Sequence, residues 1–505
     1  MRKEQNPGSN SLISTGVPGL DEILAGGLTR DRLYLVEGQP GSGKTTLGLQ
    51  FLVEGVKQGE RVLYITLAET AAELRAVAAS HSLSMEGIRI HEVIPSASLL
   101  DPKEQYTMFH PSEVELGSTT QEILTAVETV RPTRVVLDSL SELQLLADNA
   151  LRYRRQVLAL KQYFASRACT VLLLDDRTAA NADLQVHSIA HAVITLVQET
   201  KEYGADRRRV RIGKYRGVDF LAGLHDYSIV RGGLVVYPRL IASTSRVTAR
   251  RAQFGTGLPA LDKLLGGGVE EGTSTLISGP PGVGKSTLAA QFVSAALARG
   301  ERAAMFIFEE SANNLVNRAE GLGMHLAASM ETEQLTIQQI DPAELPPGEF
   351  AHNVCAAADR GAKVIVIDSL NGYLSAMPDE RFLTTHLHEL LTWLGQRGVV
   401  TVLVGVHQGF IGNNSVASVD ASYLADNVIL LRHYEANGEV HQAVSVFKKR
   451  GGPHERTLRE YSMSAQGIHV GPVLRQFHGI LTGVPTVLSG AGEGAGNDAG
   501  NDNDD

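Results

Sequence analysis

The feature that most constrains this chain is an internal duplication. Gly16-Val-Pro-Gly-Leu-Asp21 recurs as Gly257-Leu-Pro-Ala-Leu-Asp262. Lys44 recurs as Lys285 and Glu69 as Glu310, the same interval in both cases (285 − 44 and 310 − 69, each 241). Later matches, Asp138 with Asp368 and Lys214 with Lys448, fall at shorter intervals, so loop lengths differ after the second strand. A repeat this long is a domain, since solenoid repeats run to about 20–50 residues. The expected units are 12–240 and 253–485. A Gly/Ala/Asn/Asp-rich segment, 486–505, cannot bury a core and is expected to be disordered.

Each copy alternates apolar, β-branched runs with helical stretches. Arg32–Glu37, Arg61–Leu67, Arg134–Asp138 and Thr170–Leu174 read as strands, and Thr45–Gln58 as a helix. Their partners are Thr275–Ser278, Ala303–Phe308, Lys363–Asp368 and Val399–Val406. Continuous apolar runs are the pattern of parallel strands buried on both faces. The expected class is α/β with central, mainly parallel sheets.

Gly38-Gln-Pro-Gly-Ser-Gly-Lys44-Thr45 and Gly279-Pro-Pro-Gly-Val-Gly-Lys285-Ser286 both fit G-x-x-x-x-G-K-[ST], between a strand and a helix. Glycines let backbone N–H groups converge on phosphate oxygens. The candidate ATP-binding residues are Gly41, Ser42, Gly43, Lys44, Thr45 and Thr46, and Gly282, Val283, Gly284, Lys285, Ser286 and Thr287. The lysines reach the outer phosphates, while Thr45 and Ser286 offer hydroxyls to Mg²⁺. Asp138 and Asp368 each end a hydrophobic strand and are the matching Mg²⁺ carboxylates. At the end of the second strand stand Leu67-Ala68-Glu69-Thr70 and Phe308-Glu309-Glu310-Ser311. Glu69, Glu309 and Glu310 are candidates to orient or deprotonate water. Glu69-Thr-Ala-Ala-Glu73 also reads as a helix start.

Composition narrows the partners. Hydrophobic content is 43%, charged content 20% and net charge −10, with five of the acids after residue 487. This is no basic surface for duplex DNA. The two cysteines, Cys169 and Cys355, sit among apolar or small residues and read as buried free thiols. The longest apolar run, Val399–Val406, is far short of the roughly 20 residues of a membrane span. A cytoplasmic location is the expectation. Arg207-Arg-Arg209 reads as a solvated hairpin face.

These motifs, with Ile367-Asp-Ser-Leu370 and Val446-Phe-Lys448-Lys-Arg450-Gly451, resemble the KaiC family. These are double RecA-like ATPases of the cyanobacterial circadian clock, with wider bacterial relatives. The resemblance spans about residues 12–485. It implies two tandem RecA-like P-loop domains, a homohexameric double ring with ATP between subunits, an ATPase in the first ring, and an ATPase and autokinase in the second. It assigns Glu309 and Glu310 to a catalytic glutamate pair. Lys214 and Arg216, with Lys448 and Arg450, match the Lys-x-Arg-Gly that reaches a neighbour's nucleotide. Of the family's phosphorylated Ser-Thr pair, Ser422 is retained and Tyr423 replaces the threonine. Ala68 replaces one glutamate in the first copy.

The expected function is therefore an ATP- and Mg²⁺-dependent signalling or timing ATPase with Ser/Thr autokinase activity and a protein partner. Two rivals remain at this stage. A RecA-type DNA recombinase or helicase needs basic strand-binding loops, but Gly409–Ser418 carries no Lys or Arg. An ATP-binding scaffold with little turnover fits the first copy, because of Ala68.

Overall fold

The computed structural model describes residues 12–93, 111–147, 149–176, 184–242, 252–375, 382–405, 423–480 and 486–487. The chain divides into two compact units, Met1–Arg239 with Pro346–His352, and Leu240–Leu345 with Asn353–Asp505. In the first, nine strands form one sheet: β1 (Leu33–Gly38), β2 (Val62–Thr66), β3 (Ile88–Glu92), β4 (Arg134–Asp138), β5 (Thr170–Asp176), β6 (Ala192–Glu199), β7 (Arg207–Tyr215), β8 (His225–Val230) and β9 (Gly233–Tyr237). Their order is β3-β2-β4-β5-β1-β6-β7-β8-β9. Strands β3 to β6 in that row are parallel, and β7 to β9 extend the sheet antiparallel.

The second unit repeats the plan with β10 (Ser274–Ser278), β11 (Arg302–Ile307), β12 (Leu335–Gln339), β13 (Ala362–Asp368), β14 (Val400–Gly405), β15 (Asn427–Ala436), β16 (Glu439–Lys449), β17 (Arg459–Ser464) and β18 (Gly467–Val473). The order, β12-β11-β13-β14-β10-β15-β16-β17-β18, is the same row. The duplication read in the sequence is a duplication of topology.

The central strands are apolar throughout because both faces are covered. On β1, Leu33 and Leu35 enter one core while Tyr34 and Val36 enter the other. That alternation is the period of two imposed by the pleat. The P-loop strand lies inside the row, between β5 and β6, so its loop opens at the carboxyl ends of the parallel strands, where open α/β sheets bind ligands.

The repeated Gly-x-Pro-x-Leu-Asp motif acts structurally. Asp21 accepts from Ser14 Oγ (2.7 Å), Thr15 N (2.9 Å) and Thr15 Oγ1 (2.6 Å). Asp262 accepts from Thr256 N and Oγ1, both at 2.8 Å. Each aspartate clasps the segment before its own helix. Gly16 has φ +73°, and a Cβ there would lie 2.6 Å from Glu54 Cβ, so a side chain is excluded twice over.

Two expectations shift. Phe477–His478 pairs with Thr486–Val487, so ordered backbone passes the expected boundary at 485; residues 488–505 lie outside the described residues. Arg207–Arg209 is no solvated face. Arg207 is buried, and Arg209 pairs with Asp226 (3.3 Å) and Glu199 (3.6 Å). The sheet extension that buries them gave no charge signal of its own. Both cysteines are buried and free, and burial pushes their thiols up, to about 11 for Cys169 and about 12 for Cys355. Among the described residues no helix is long and apolar enough to cross a membrane.

Candidate nucleotide sites

Each P-loop leads into a 14-residue helix, Lys44–Lys57 and Lys285–Ala298. The N-cap glycines, Gly43 (φ +93°) and Gly284 (φ +95°), are left-handed, a conformation costly for other residues. Gly41 and Gly282 also have positive φ. The first helical turn leaves N–H groups without intrahelical partners, aimed at the loop, which makes an anion site. The Ser42 hydroxyl is buried without a partner, a donor suited to a phosphate oxygen. Thr46 and Thr287 are buried in the first turns. Val283 belongs to the hydrophobic core, so it can offer the cradle only its backbone.

In the first unit, Lys44 Nζ donates to the carbonyls of Gly38 (2.9 Å) and Gln39 (3.0 Å) and pairs with Asp176 (2.7 Å). Asp138 Oδ2 accepts from Thr45 Oγ1 (3.2 Å) and from Tyr64 OH (2.6 Å). Burial pushes the Asp138 carboxyl above its ordinary value, although the bonds from Tyr64 and Thr45 oppose this. Glu69 is half-buried with Oε2 unpartnered. Burial, then repulsion from Asp138, Glu73 and Asp176, raises its carboxyl. The helix start is made by its neighbours: Thr70 is the N-cap, and its capping box closes on Glu73. Glu69 is therefore left over from capping, and its raised carboxyl suits proton transfer.

In the second unit, Lys285 Nζ donates to Pro280 O (2.8 Å). Burial lowers its ammonium, while Asp368 and Glu309 oppose that. Asp368 is buried, its Oδ2 has no partner, and burial pushes it to about 6, with a bond from Ser286 opposing and Glu310 and Glu309 adding. Tyr64 of the first unit corresponds to Met305 in sequence, so the second aspartate loses that donor. Glu309 is exposed and accepts from Ser369 Oγ (2.7 Å). Glu310 is held differently, by a bidentate pair with Arg318, both contacts at 2.7 Å. The peptide bonds Asp138–Ser139 and Asp368–Ser369 are both cis.

Thr45 with Asp138, and Ser286 with Asp368, are hard oxygen donor pairs of the kind Mg²⁺ takes alongside water and phosphate. The unpartnered Asp368 Oδ2 fits that ion directly.

The Lys-x-Arg pairs cap backbone carbonyls. Lys214 Nζ donates to His187 O (2.5 Å) and Ala190 O (2.8 Å), and Arg216 donates to Ser188 O. Lys448 Nζ donates to Ala425 O (2.8 Å) and Arg450 Nη2 to Tyr423 O (2.9 Å). Ser422, the loop Gly409–Ser418 and His407-Gln408 lie outside the described residues.

Sequence reasoning missed three residues at these sites, Tyr64, Asp176 and Arg318, and the buried Arg134 at the opposite end of strand β4 from Asp138. Aligning the two copies flags three of the four, since Tyr64, Arg318 and Arg134 face Met305, Val77 and Val364.

A family model described as "ATPase: KaiC" matches residues 13–241 and again 254–475. The "Circadian clock protein KaiC3" of Synechocystis sp. is 26% identical, over 94% of both chains. The "Circadian clock oscillator protein KaiC" of Thermostichus vulcanus is 26% identical, over 96% of this chain and 94% of its own. Its namesake in Synechococcus elongatus is 26% identical, over 94% of this chain and 92% of its own. Two tandem matches on two copies of one P-loop fold leave one conclusion: the chain belongs to the KaiC ATPase family.

Proposed function

We propose that this chain is a ring-forming, cytoplasmic signalling ATPase that turns over ATP chiefly at its second site and phosphorylates itself there. The observation that supports this is the second site's carboxylate set. Asp368 keeps an oxygen without a partner, and Glu309 is exposed, held by a hydroxyl rather than by a cation.

In this reading Lys285 and the loop amides take the outer phosphates of ATP. Mg²⁺, held by Ser286 and Asp368, would neutralise phosphate charge. Glu309 receives a proton from water as the water oxygen bonds to the γ-phosphorus and the bond to the bridging oxygen of ADP breaks. With the Ser422 hydroxyl in place of water, the same transfer gives phosphoserine. Arg318 positions Glu310 through its two parallel N–H donors. Lys448 and Arg450, like Lys214 and Arg216 in the first unit, would serve a neighbouring subunit's nucleotide in a homohexamer, a finger arrangement that ties turnover to assembly. A signalling protein would read the ring.

The first site suits holding ATP more than spending it. Tyr64 and Thr45 both occupy Asp138 Oδ2, and Ala68 removes the counterpart of Glu309.

The test is phosphate release and label incorporation from γ-labelled ATP in Lys44→Ala and Lys285→Ala proteins. Lys285→Ala is expected to abolish most release and all label. Equal loss from both variants would sink the division of labour. Label that survives Ser422→Ala would sink the acceptor.

A further inference from the structure

Asp176 ends β5 beside the first P-loop. Sheet register fixes it there: Gly38, the first P-loop residue, is paired with Asp176. Its carboxylate lies 2.7 Å from Lys44 Nζ, with Lys44 7% exposed and Asp176 33% exposed. An ammonium has three donors, and Lys44 already spends the others on Gly38 O and Gln39 O.

The second site is built differently at this point. There Ser278 is paired with Gly405; the next residue in sequence, Val406, carries no carboxylate and lies outside the described residues. Among the described residues Lys285 forms no ion pair and donates to a carbonyl. Both P-loops keep the lysine, but among the described residues only Lys44 forms an ion pair.

A P-loop lysine receives the outer phosphates of the nucleotide. To receive them, Lys44 must give up Asp176 or share itself between two anions a few ångströms apart. Like charges that close, in a partly buried site, repel strongly. Each added terminal phosphate brings more negative charge to the same ammonium.

We propose that Asp176 is a specificity-determining residue of the first site. It competes with the terminal phosphate for Lys44, and so reduces the preference for ATP over ADP. The first site thus tolerates ADP, while the second, lacking the carboxylate, favours the triphosphate. This deepens the reading of the first site as a nucleotide holder, and rests on it.

The experiment uses the full chain carrying Lys285→Ala, so that one P-loop is read. Binding of ADP and of the β,γ-imido analogue of ATP, with Mg²⁺ at fixed ionic strength, is measured by calorimetry for Asp176, Asp176→Asn and Asp176→Ala. Both substitutions are expected to tighten the triphosphate analogue by about tenfold, equivalent to about 1.4 kcal/mol, and ADP by less than about threefold. Equal shifts for the two nucleotides, or weaker binding of the analogue, would overturn the assignment. A structural role alone would change both affinities together. Binding of neither nucleotide to any of the three proteins would instead overturn the first site as a nucleotide site.

Discussion

Replacing Arg134 by methionine should destabilise the first unit by about 3 kcal/mol, the lower part of the 3–5 kcal/mol range for breaking a buried ion pair. The residue is fully buried. Its guanidinium donates to Ser14 O (2.8 Å), Phe51 O (3.0 Å) and Gln58 Oε1 (2.9 Å), and Nε pairs with Glu60. It also lies 4.8 Å from the Phe51 ring centroid, a cation–π contact. Methionine fills much of the volume but leaves those acceptors without a donor. The loss stays near 3 kcal/mol because Glu60 retains Arg30 at 3.0 Å. The second unit supplies the contrast: Val364 stands at the matching place, buried without any network.

For a unit of this size, 1 kcal/mol moves the melting temperature by about 2–4 °C, so a drop of about 6–12 °C is expected. Two domains complicate a single global curve. Peptide-resolved hydrogen exchange avoids that by reading strand β4 and the Lys44–Lys57 helix separately from the second unit. Adding Glu60→Gln to Arg134→Met should change the loss little, because the pair that Glu60 still makes is with the partly exposed Arg30. A loss under about 1 kcal/mol in the first unit would refute the claim that this guanidinium is a buried keystone. Phe51 lies on the P-loop helix, so the variant should also weaken nucleotide binding at the first site.

Three further outcomes follow from the sites. Glu309→Gln should cut phosphate release at least about 100-fold, the scale of a lost general base, and the same change at Glu310 should cost less; single-turnover release measured in the Lys44→Ala background checks the order. Arg318→Met should lower stability by no more than about 1 kcal/mol, since the pair is partly exposed, while slowing turnover at the second site; a larger shift in the denaturant midpoint would count against the positioning role. Asp175 accepts from Ser141 Oγ (2.9 Å), yet burial pushes its carboxyl to about 6. Because its folded value lies above the unfolded one, stability falls as pH rises from about 4 through about 6, by up to about 3 kcal/mol. Asp175→Asn should therefore raise the melting temperature at pH 8 and leave it nearly unchanged at pH 3.5.

Much of this architecture was legible because it is local. A glycine-rich loop between a β-branched run and a helix has one structural meaning, and repetition at a fixed interval removes the chance match. Strands such as Arg134–Asp138 were bounded by the residues that end them, with the same limits in the fold. The antiparallel extensions were harder. Arg207–Tyr215 alternates charges with apolar residues, and Arg209 in it pairs with Asp226 and Glu199, partners that only the folded sheet brings near. One signal was present and unused: Asn437-Gly438 lies between Ala436 and Glu439, which are paired across the hairpin, and Asn-Gly is the strongest two-residue hairpin signature.

The chemistry was least legible where it depends on pairs far apart in sequence. Nothing near Lys44 announces Asp176, and nothing in Phe-Glu-Glu-Ser tells its two glutamates apart. The fold does both by register: it sets Asp176 level with Gly38, and it gives Glu310 to Arg318 while Glu309 meets Ser369. Those pairings turn a symmetric duplication into unequal sites. One lysine already faces an anion and one aspartate is already doubly bonded in the first unit; in the second, the lysine and an aspartate oxygen are left for the ligand. Divergence after duplication therefore acted outside the P-loops, at Tyr64, Asp176 and Arg318, as well as within them, where Ser42 stands opposite Val283.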